Sequence, residues 1–427
     1  MTGPEKRISN PKPIPGVPVR EAALKVLHEL QGAGYEAFFA GGCVRDRLLG
    51  LEPVEYDVAT NARPEQVQSL FKRVQKVGEA FGVMLVRLMG HTIEVATFRT
   101  EGIYSDGRHP DDVAFSDAQH DAQRRDFTIN GIFENPANDN EIIDFVGGRE
   151  DLQNRIIRAI GDPHARLRED RLRMLRAVRF ASRYEFELEE ETAQAIREGA
   201  GELEGVSRER IGQEVKKMLT HSNRVAAAWT VQYLGLDRIV LEEDHLDDAP
   251  QRMGRLPESV AYSTILASWL IDRHEEEPEY WPRIADRWTR ALMLSNEEHL
   301  GLKNAVEIYR TLMNEWEQMG VAKQKRLASM TGYEAGLALV MATDQEQFLG
   351  IRRRVEFLKE TGLDPDPLID GNDLIESGLK PGPAFSRLLD AVYDSQLEGI
   401  VSSREMALEM AQMLQRTFDV NPGDSTD

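Results

Sequence analysis

The sequence has one cysteine, Cys43, and no long apolar segment. A lone cysteine excludes an internal disulfide and is typical of a reducing compartment, so we expect a cytoplasmic protein. No apolar run approaches the roughly 20 residues that a membrane-spanning helix requires, so no membrane association is expected. The opening stretch MTGPEKRISNPKPIPGVPVR lacks the apolar core of a signal peptide. Its prolines instead predict a stiff extended arm over residues 1–19.

Positive charge is scarce as well. The 52 Lys and Arg are outnumbered by 73 Asp and Glu, and the net charge of −21 by itself argues against a nucleic-acid partner. The arginines are, however, concentrated locally. The stretch ARLREDRLRMLRAVRF holds six of them, namely Arg166, Arg168, Arg171, Arg173, Arg176 and Arg179. Acidic clusters such as LEEDHLDD lie elsewhere, and we expect them to face away from any bound RNA.

The pattern of apolar residues changes along the chain. A length of 427 residues is too great for one ordinary core, so several domains are expected. In the first 150 residues, a helical pattern over 19–33 is followed by short strand patterns. The strand candidates are YEAFFA, YDVAT, VQKVG, GVMLVRL and TIEVATFR, the last two forming a hairpin around Met89-Gly90-His91. From about residue 160 nearly every segment has the helical period, including one helix over 169–183. The sequence therefore predicts an α+β head with a mixed sheet, followed by an all-helical remainder.

A glycine pair, Gly41-Gly42, separates a predicted strand from a short predicted helix. Two glycines at such a position let the backbone approach a ligand, and the start of a helix favours phosphate. Arg45 would then add donors to phosphate oxygens. The alternative is an ordinary tight turn between a strand and a helix.

Two acids, Glu55 and Asp57, are placed to project from the same face of one predicted strand. Neighbouring carboxylates repel unless a cation lies between them, and oxygen ligands of this kind suit Mg²⁺. Glu94, in another predicted strand, would be a third carboxylate of such a site. The alternative is that each acid lies on a solvent-facing side of its strand.

Two further clusters combine arginines with acids. In QRRDFTIN, Arg124 and Arg125 can neutralise phosphates, while Asp126 either accepts from a sugar hydroxyl or caps a helix. In REDRLR, Asp170 and Arg173 are three residues apart and therefore neighbours on a helix face. The residues alone favour a simple ion pair between these two side chains. The other reading is that they present acceptors and donors to the edge of a base.

In this order the segments resemble the class II tRNA nucleotidyltransferase and bacterial poly(A) polymerase family. Between about residues 20 and 220 the resemblance rests on GGCVRD, EYDVAT, IEVATFR, GIYSDGRHP, RRDFTIN, DFVGGREDLQNRIIRAIGDP, REDRLRMLRAVRFASR and SRERIGQEVKKML. The stretch GNDLIESGLKPGPAFSRLLDAVYDSQLEGIVSSREMALEMA resembles the C-terminal part of CCA-adding enzymes. Each segment alone is a weak signal, whereas their ordered combination is specific.

The resemblance implies roles for individual residues. Glu55, Asp57 and Glu94 would be the catalytic carboxylates, and Glu55 and Asp57 would bind Mg²⁺. The implied nucleotide-binding residues are Gly41, Gly42, Arg45, Asp46, Arg124, Arg125, Asp126, Asn130, Asp170, Arg173, Arg176 and Arg179. Among them Asp170 and Arg173, next to Glu169, would face the base of CTP or ATP as a protein template.

Two segments depart from the family pattern. Glu55 stands where the family usually has Asp, and its extra methylene moves the carboxylate by ~1.5 Å, a large shift for the strict geometry of Mg²⁺. In addition, FTINGIF stands where FTINAMA is usual.

The resemblance also implies an architecture and a reaction. The expected segments are an arm (1–19), a nucleotidyltransferase head (20–150), a neck with base-recognition helices (151–220), a helical body (221–365) and a tRNA-binding tail (366–427). The implied reaction is template-independent nucleotide addition to the 3′ end of tRNA from CTP and ATP, with release of pyrophosphate. RTEGIYSDGRHPDD resembles the loop that family members need to add A. No protein partner is implied.

Other functions stay open at this point. Addition of A alone and poly(A) synthesis share nearly all these motifs. A non-catalytic RNA-binding protein is a further alternative, with Glu55 as its support in the sequence. Nucleotidyl transfer to a small molecule shares the acid pair, but the arginine-rich segment and the long helical part disfavour it.

Overall fold

The structure, a computed structural model, describes residues 18–77, 82–101, 113–379, 382 and 384–420. Nearly all of the expected N-terminal arm and most of the expected A-addition loop lie outside these residues. The chain divides into two compact units, the first formed by Met1–Asp247 with Ala291–Met293 and the second by Asp248–Arg290 with Leu294–Asp427. The finer division into five segments stays a prediction.

The first unit contains the strands of the chain's described part and its first eleven helices. The strands are β1 (Ala37–Ala40), β2 (Asp57–Thr60), β3 (Val74–Lys76), β4 (Val83–Leu88), β5 (His91–Thr97), β6 (Arg99–Glu101), β7 (Val113–Phe115), β8 (Ile132–Asn135), β9 (Glu141–Asp144), β10 (Ile156–Ile157) and β11 (Glu187–Leu188). The helices are α1 (Val19–Gly32), α2 (Gly42–Leu48), α3 (Pro64–Leu70), α4 (Ala118–Gln123), α5 (Gly148–Asn154), α6 (Pro163–Glu169), α7 (Arg173–Tyr184), α8 (Glu190–Gly199), α9 (Arg208–Leu219), α10 (Arg224–Tyr233) and α11 (Asp237–Leu241).

The remaining helices are α12 (Tyr262–Arg273), α13 (Trp281–Ala291), α14 (Asn296–Asn314), α15 (Val321–Ser329), α16 (Tyr333–Thr343), α17 (Gln345–Lys359), α18 (Gly371–Glu376), α19 (Ala384–Leu397) and α20 (Arg404–Val420). In the second unit the rings of Trp269 and Trp288, both fully buried, meet edge to face at 5.6 Å. The predicted α+β head followed by helices is confirmed. No helix among the described residues is both long enough and apolar enough to span a bilayer.

The head is built on a seven-stranded mixed sheet with the order β3-β4-β5-β2-β1-β8-β9. Strands β2 and β5 run parallel, whereas β2 pairs with β1, and β5 with β4, in antiparallel fashion. Helix α1 covers one face of the sheet. Its apolar residues recur at helical spacing, so they lie on one side of the helix, where all of them are completely buried: Ala22, Ala23, Val26, Leu27 and Leu30. The predicted helix over 19–33 is thus confirmed.

The predicted hairpin between β4 and β5 is also confirmed. Leu88 pairs with His91, so the turn itself consists of Met89 and Gly90. Both turn residues have positive φ, 53° for Met89 and 80° for Gly90, as a two-residue turn matched to the strand twist requires.

The predicted single helix over 169–183 is wrong. Helix α6 ends at Glu169, and Asp170 adopts an extended conformation with φ −137° and ψ 103° before α7 begins at Arg173. The helical period continues across this break, so it could not be seen in the pattern of apolar residues. The break matters because it removes Asp170 from the helix that carries Arg173.

Candidate active site

Most of the predicted site residues line one cavity of about 550 Å³ in the first unit. The lining residues are Gly41, Gly42, Arg45, Glu55, Asp57, Arg124, Arg125, Asp126, Asn130, Asp170, Arg173, Arg176, Arg179 and Phe180. Of the predicted residues, Asp46 and Glu94 lie outside this lining, and Phe180 was not predicted to belong to it. The wall is therefore mostly charged, with cations and carboxylates on the same surface.

The carboxylates are brought together by the pairing of β2 with β5. In this parallel register Asp57 is the partner of Glu94, so residues distant in sequence become neighbours. Glu55 lies just before β2 and lines the same cavity as Asp57. Burial, followed by the charges of Glu94 and Glu55, raises the pKa of Asp57 to about 7. Desolvation and the charge of Glu55 likewise raise the pKa of Glu94.

The chemistry of these donors fits a hard divalent cation. The repulsion that raises the pKa of Asp57 is the interaction that a bound dication would remove. Glu55 and Asp57 supply carboxylate oxygens to one cavity, and Mg²⁺ typically takes two such ligands and completes its shell with water and phosphate. Within the described ranges, no group of three or more His, Cys, Asp or Glu side chains is already arranged as a metal cage. The residues therefore support a cation that has two protein ligands and whose other coordination positions are left for water and phosphate.

Metal binding at Asp57 is expected to depend on pH. The pKa of this carboxyl is raised from 3.8 to about 7, so the metal-free protein loses stability as pH rises through that interval. A cation binds the ionised form, and the ionised fraction rises about tenfold between pH 6 and pH 8. Titration of Mg²⁺ by calorimetry, without RNA, should show about tenfold tighter binding at pH 8. Equal affinities at the two pH values would contradict this assignment.

The glycine turn brings backbone against an arginine. Gly41 has φ 68°, and a Cβ at this position would lie 2.9 Å from Nη1 of Arg125. Its N–H donates to the carbonyl of Ile132 in β8 at 3.2 Å. A side chain at residue 41 would therefore be strained and would displace Arg125, which explains why glycine is required here.

Arg45 has protein partners in this structure. Its side chain is buried, with Nη1 2.6 Å from Oδ1 of Asn130 and Nη2 2.7 Å from Oδ1 of Asp46. The guanidinium also lies over the rings of Phe180 and Tyr184, at 5.1 and 4.7 Å from their centroids. A contact between Arg45 and phosphate stays a prediction.

Arg124 and Arg125 are held by a carboxylate that the sequence reading missed. Asp121 is 1% exposed, and its two oxygens accept from Arg124 Nε at 2.9 Å and from Arg125 Nη2 at 2.9 Å. Burial alone would raise the pKa of Asp121, but the two arginine charges outweigh burial and lower it. The spacing of three and four residues on α4 is the signal that could have identified this residue.

Asp126 accepts hydrogen bonds from neighbouring side chains with both of its carboxylate oxygens. Oδ2 accepts from Arg176 at 2.8 and 2.6 Å, while Oδ1 accepts from Asn130 Nδ2 at 2.9 Å. Burial opposes ionisation, yet the charge of Arg176 and these hydrogen bonds hold the pKa of Asp126 well below its usual range. Its carboxylate also accepts from the backbone N–H of Phe127, but the short helix that follows starts after Phe127 and has no side-chain cap, so the predicted capping role is wrong.

The ion pair expected between Asp170 and Arg173 is absent from this part of the described structure. Arg173 donates to Glu169 instead, and Asp170 Oδ2 accepts from Arg210 Nη2 at 2.8 Å. The prediction fails because Asp170 lies in the break between α6 and α7. Both side chains nevertheless line the cavity. Arg210, within the motif SRERIG, belongs to the site through this contact.

Arg179 is also bound by an acid of α9, in this case Glu214. Its Nε lies 2.6 Å from Oε2 of Glu214, and its guanidinium lies 4.3 Å from the centroid of Phe180. Glu214 is 3% exposed, and although burial opposes ionisation, the neighbouring Arg179 and Lys217 lower its pKa. Glu214 gave no signal in the sequence beyond lying in a motif of the resemblance.

Comparison with known proteins identifies the family. Residues 37–158 match the family model "Poly A polymerase head domain", and residues 185–241 match "Probable RNA and SrmB- binding site of polymerase A". The CCA-adding enzyme of Lacticaseibacillus paracasei is 32% identical over 404 residues, which cover 92% of this chain and 97% of that protein. The chain belongs to the CCA-adding enzyme family. It is therefore an enzyme of the tRNA nucleotidyltransferase type, a class that typically needs a divalent metal.

Other members of the CCA-adding enzyme family agree in sequence and in fold. The Enterococcus faecalis enzyme is 47% identical over 206 residues, which cover 48% of this chain and 50% of that protein. The crystal structure of the Bacillus stearothermophilus CCA-adding enzyme in complex with CTP has a TM-score of 0.74 and 29% identity, covering 95% of this chain and all of that one. The Thermotoga maritima CCA-adding enzyme complexed with tRNA shares the fold, with a TM-score of 0.68 and 21% identity over 93% of this chain and 96% of that one.

Proposed function

We propose that this member of the CCA-adding enzyme family uses the cavity between β2 and α7 to add C and A, without a template, to the 3′ end of tRNA. The supporting observation is the parallel register that pairs Asp57 with Glu94. The proposal assigns the carboxylates Glu55 and Asp57, the phosphate-binding arginines and the base-facing Asp170 and Arg173 to one cavity of about 550 Å³, which all of them line. Family membership supports the reaction, and the cavity supports the assignment of residues.

The proposed reaction is a displacement at phosphorus. The 3′ oxygen of the tRNA attacks the α-phosphate of CTP or ATP, a new phosphodiester bond forms, and pyrophosphate leaves. Glu55 and Asp57 hold Mg²⁺ where both carboxylates line the cavity. When bound, Mg²⁺ supplies charge neutralisation and lowers the pKa of the attacking hydroxyl. Glu94, the partner of Asp57 on the neighbouring strand β5, adds a third negative charge beside the proposed metal site.

The remaining groups bind and orient the nucleotide. Arg124 and Arg125, with backbone at Gly41 and Gly42, hold the triphosphate at the side of the cavity nearest the carboxylates. Asp126 is ionised and can accept from a ribose hydroxyl while it remains bonded to Arg176. These groups are fixed by protein partners before a nucleotide arrives, which lowers the cost of ordering them.

Base selection is assigned to Asp170 and Arg173. Asp170 lines the cavity with its carboxylate held by Arg210 and by the backbone N–H of Leu172, and each of its oxygens has a further lone pair for a base. Arg173 begins α7 and lines the same cavity. A carboxylate and a guanidinium offer acceptors and donors to the edge of a base. The neck (151–220) is proposed to read the base, and the tail (366–427) is proposed to bind tRNA.

The substrates, the cellular compartment and the metal ion are proposed on separate grounds. The CTP-bound Bacillus stearothermophilus relative supports CTP as a substrate, and membership in the family supports ATP and tRNA. Cys43 is a free, buried thiol, which is compatible with the reducing cytoplasm. Mg²⁺ is proposed over softer divalent ions such as Zn²⁺ and Cu²⁺ because both assigned ligands are carboxylates.

The product ladder tests the function directly. Purified protein is incubated with Mg²⁺, CTP and ATP and with three tRNAs that end before CCA, after CC and after CCA. We expect the first to gain three nucleotides, the second to gain one and the third to remain unchanged. Extension of only the second tRNA would identify an A-adding enzyme, and long extension of all three would identify a poly(A) polymerase. No extension, with a control enzyme active, would contradict the proposal and favour a non-catalytic RNA-binding protein.

A further inference from the structure

Tyr184 joins the arginine-bearing helix α7 to the helix that follows the glycine turn. Its hydroxyl lies 2.9 Å from Oδ1 of Asp46 in α2. The same carboxylate oxygen accepts from Nη2 of Arg45 at 2.7 Å. Tyr184 and Asp46 both lie outside the lining of the cavity, so this contact organises the wall from behind.

The hydrogen bonds continue from Asp46 until they return to α7. Arg45 donates to Oδ1 of Asn130 at 2.6 Å, and Asn130 donates to Oδ1 of Asp126 at 2.9 Å. Oδ2 of Asp126 accepts from Nη2 of Arg176 at 2.6 Å. Because Arg176 and Tyr184 both belong to α7, the bonds form a closed circuit. The circuit therefore links α2, which follows the glycine turn, to residues 126–130 and to α7.

The ring of Tyr184 and its hydroxyl make separate contacts. The ring stacks on Phe180 with the centroids 6.3 Å apart and the planes at 17°, and Arg45 lies 4.7 Å from the ring centroid. The hydroxyl alone reaches Asp46. Removing the hydroxyl therefore opens the circuit at one point and leaves the packing of the aromatic rings in place.

We propose that Tyr184 is a positioning residue for nucleotide selection. Its hydroxyl fixes α7 against α2, and so fixes Arg173, the first residue of α7, relative to the glycine turn that is proposed to face the triphosphate. A displacement of about 1 Å between groups that hold a substrate can change a rate by about 10²-fold. The inference deepens the proposed function and rests on it, because it takes α7 as the helix that reads the base.

The test compares Tyr184→Phe with a matched control, Tyr233→Phe. The hydroxyl of Tyr233 accepts from Arg197 at 3.1 Å, but its side chain is exposed and outside the cavity. For each protein, kcat and KM are measured with CTP and UTP on tRNA lacking CCA, together with equilibrium binding of both nucleotides and Tm. For Tyr184→Phe we expect about a tenfold lower preference for CTP over UTP, mainly through KM, with only the small decrease in Tm that the loss of one hydrogen bond causes. The control should keep the wild-type preference.

Two results would overturn the role of Tyr184. One is an unchanged preference for CTP over UTP, and the other is an equal loss for both nucleotides with a lower Tm, as a merely structural role predicts. Asp46→Asn gives a second measurement, since Tyr184→Phe should have a smaller effect in that background, and additive effects would also refute the circuit. If the wild-type protein adds nothing to tRNA, the proposed function fails, while the ratio of CTP to UTP binding still tests Tyr184.

Discussion

Replacing Asp57 by Asn is expected to lower kcat for nucleotide addition by at least about 10³-fold. A metal ion contributes several kcal/mol of transition-state stabilisation, and each factor of ten in rate corresponds to about 1.4 kcal/mol. Asp57 is a proposed metal ligand, and burial followed by the charges of Glu94 and Glu55 raises its pKa to about 7. The amide keeps the size of the side chain but gives up the negative charge that holds the cation. Single-turnover incorporation of labelled CTP into tRNA lacking CCA measures the loss.

The design of this experiment separates catalysis from folding. Asp57→Asn removes a like charge from a repelling group, so Tm of the metal-free variant at pH 8 should be no lower than that of the wild type. Glu65→Gln is the matched control, because Glu65 is an exposed carboxylate of the same head in α3. Its activity should equal that of the wild type. Activity of Asp57→Asn within about tenfold of the wild type would remove the metal assignment.

Glu55→Asp and Glu55→Gln then decide how Glu55 acts. Glu55 lines the cavity from the segment before β2, although its carboxylate is one methylene further from the backbone than that of an aspartate. If Glu55 binds the metal directly, Glu55→Gln should reproduce much of the loss seen for Asp57→Asn, and Glu55→Asp should keep more activity.

Replacing Asp170 by Ala is expected to reduce kcat/KM for CTP and for ATP by about 10²-fold while UTP changes little. A good pair of hydrogen bonds to a base edge contributes about 1–3 kcal/mol of discrimination. The variant loses the carboxylate that lines the cavity and also releases Arg210, whose Nη2 lies 2.8 Å from Oδ2 of Asp170. The preference for the correct base therefore falls, whereas the carboxylates at Asp57 and Glu55 are unaffected.

Competition between CTP and UTP on one tRNA measures this loss of preference. Asp170→Asn is a useful second variant because it keeps the volume and one acceptor, and it should lose less than Asp170→Ala. Glu190→Gln is the matched control, since Glu190 is an exposed acid at the start of α8. A ratio of CTP to UTP use that stays at the wild-type value in Asp170→Ala would exclude Asp170 from base reading.

Local patterns predicted part of the secondary structure of the head, although β8 and β9 of its sheet were not among the strand candidates. Helix α1 and the hairpin between β4 and β5 lie where apolar periodicity and turn residues put them. These features depend on residues within a few positions of each other. The break at Asp170 escaped prediction for the same reason, because the helical period continues through it and the partner that stabilises it, Arg210, is distant in sequence.

The ordered motifs in the sequence determined the family, and with it the class of reaction and most residues of the site. The sequence could not determine which charges meet. The tertiary structure supplied the register that pairs Asp57 with Glu94, a neighbour that the sequence had predicted. The tertiary structure alone gave Arg173 to Glu169 and Asp170 to Arg210, and placed Asp121 beneath Arg124 and Arg125. The physical reason is that charge pairing depends on strand register and on breaks between helices, which are set by long-range packing and not by the spacing of residues along the chain.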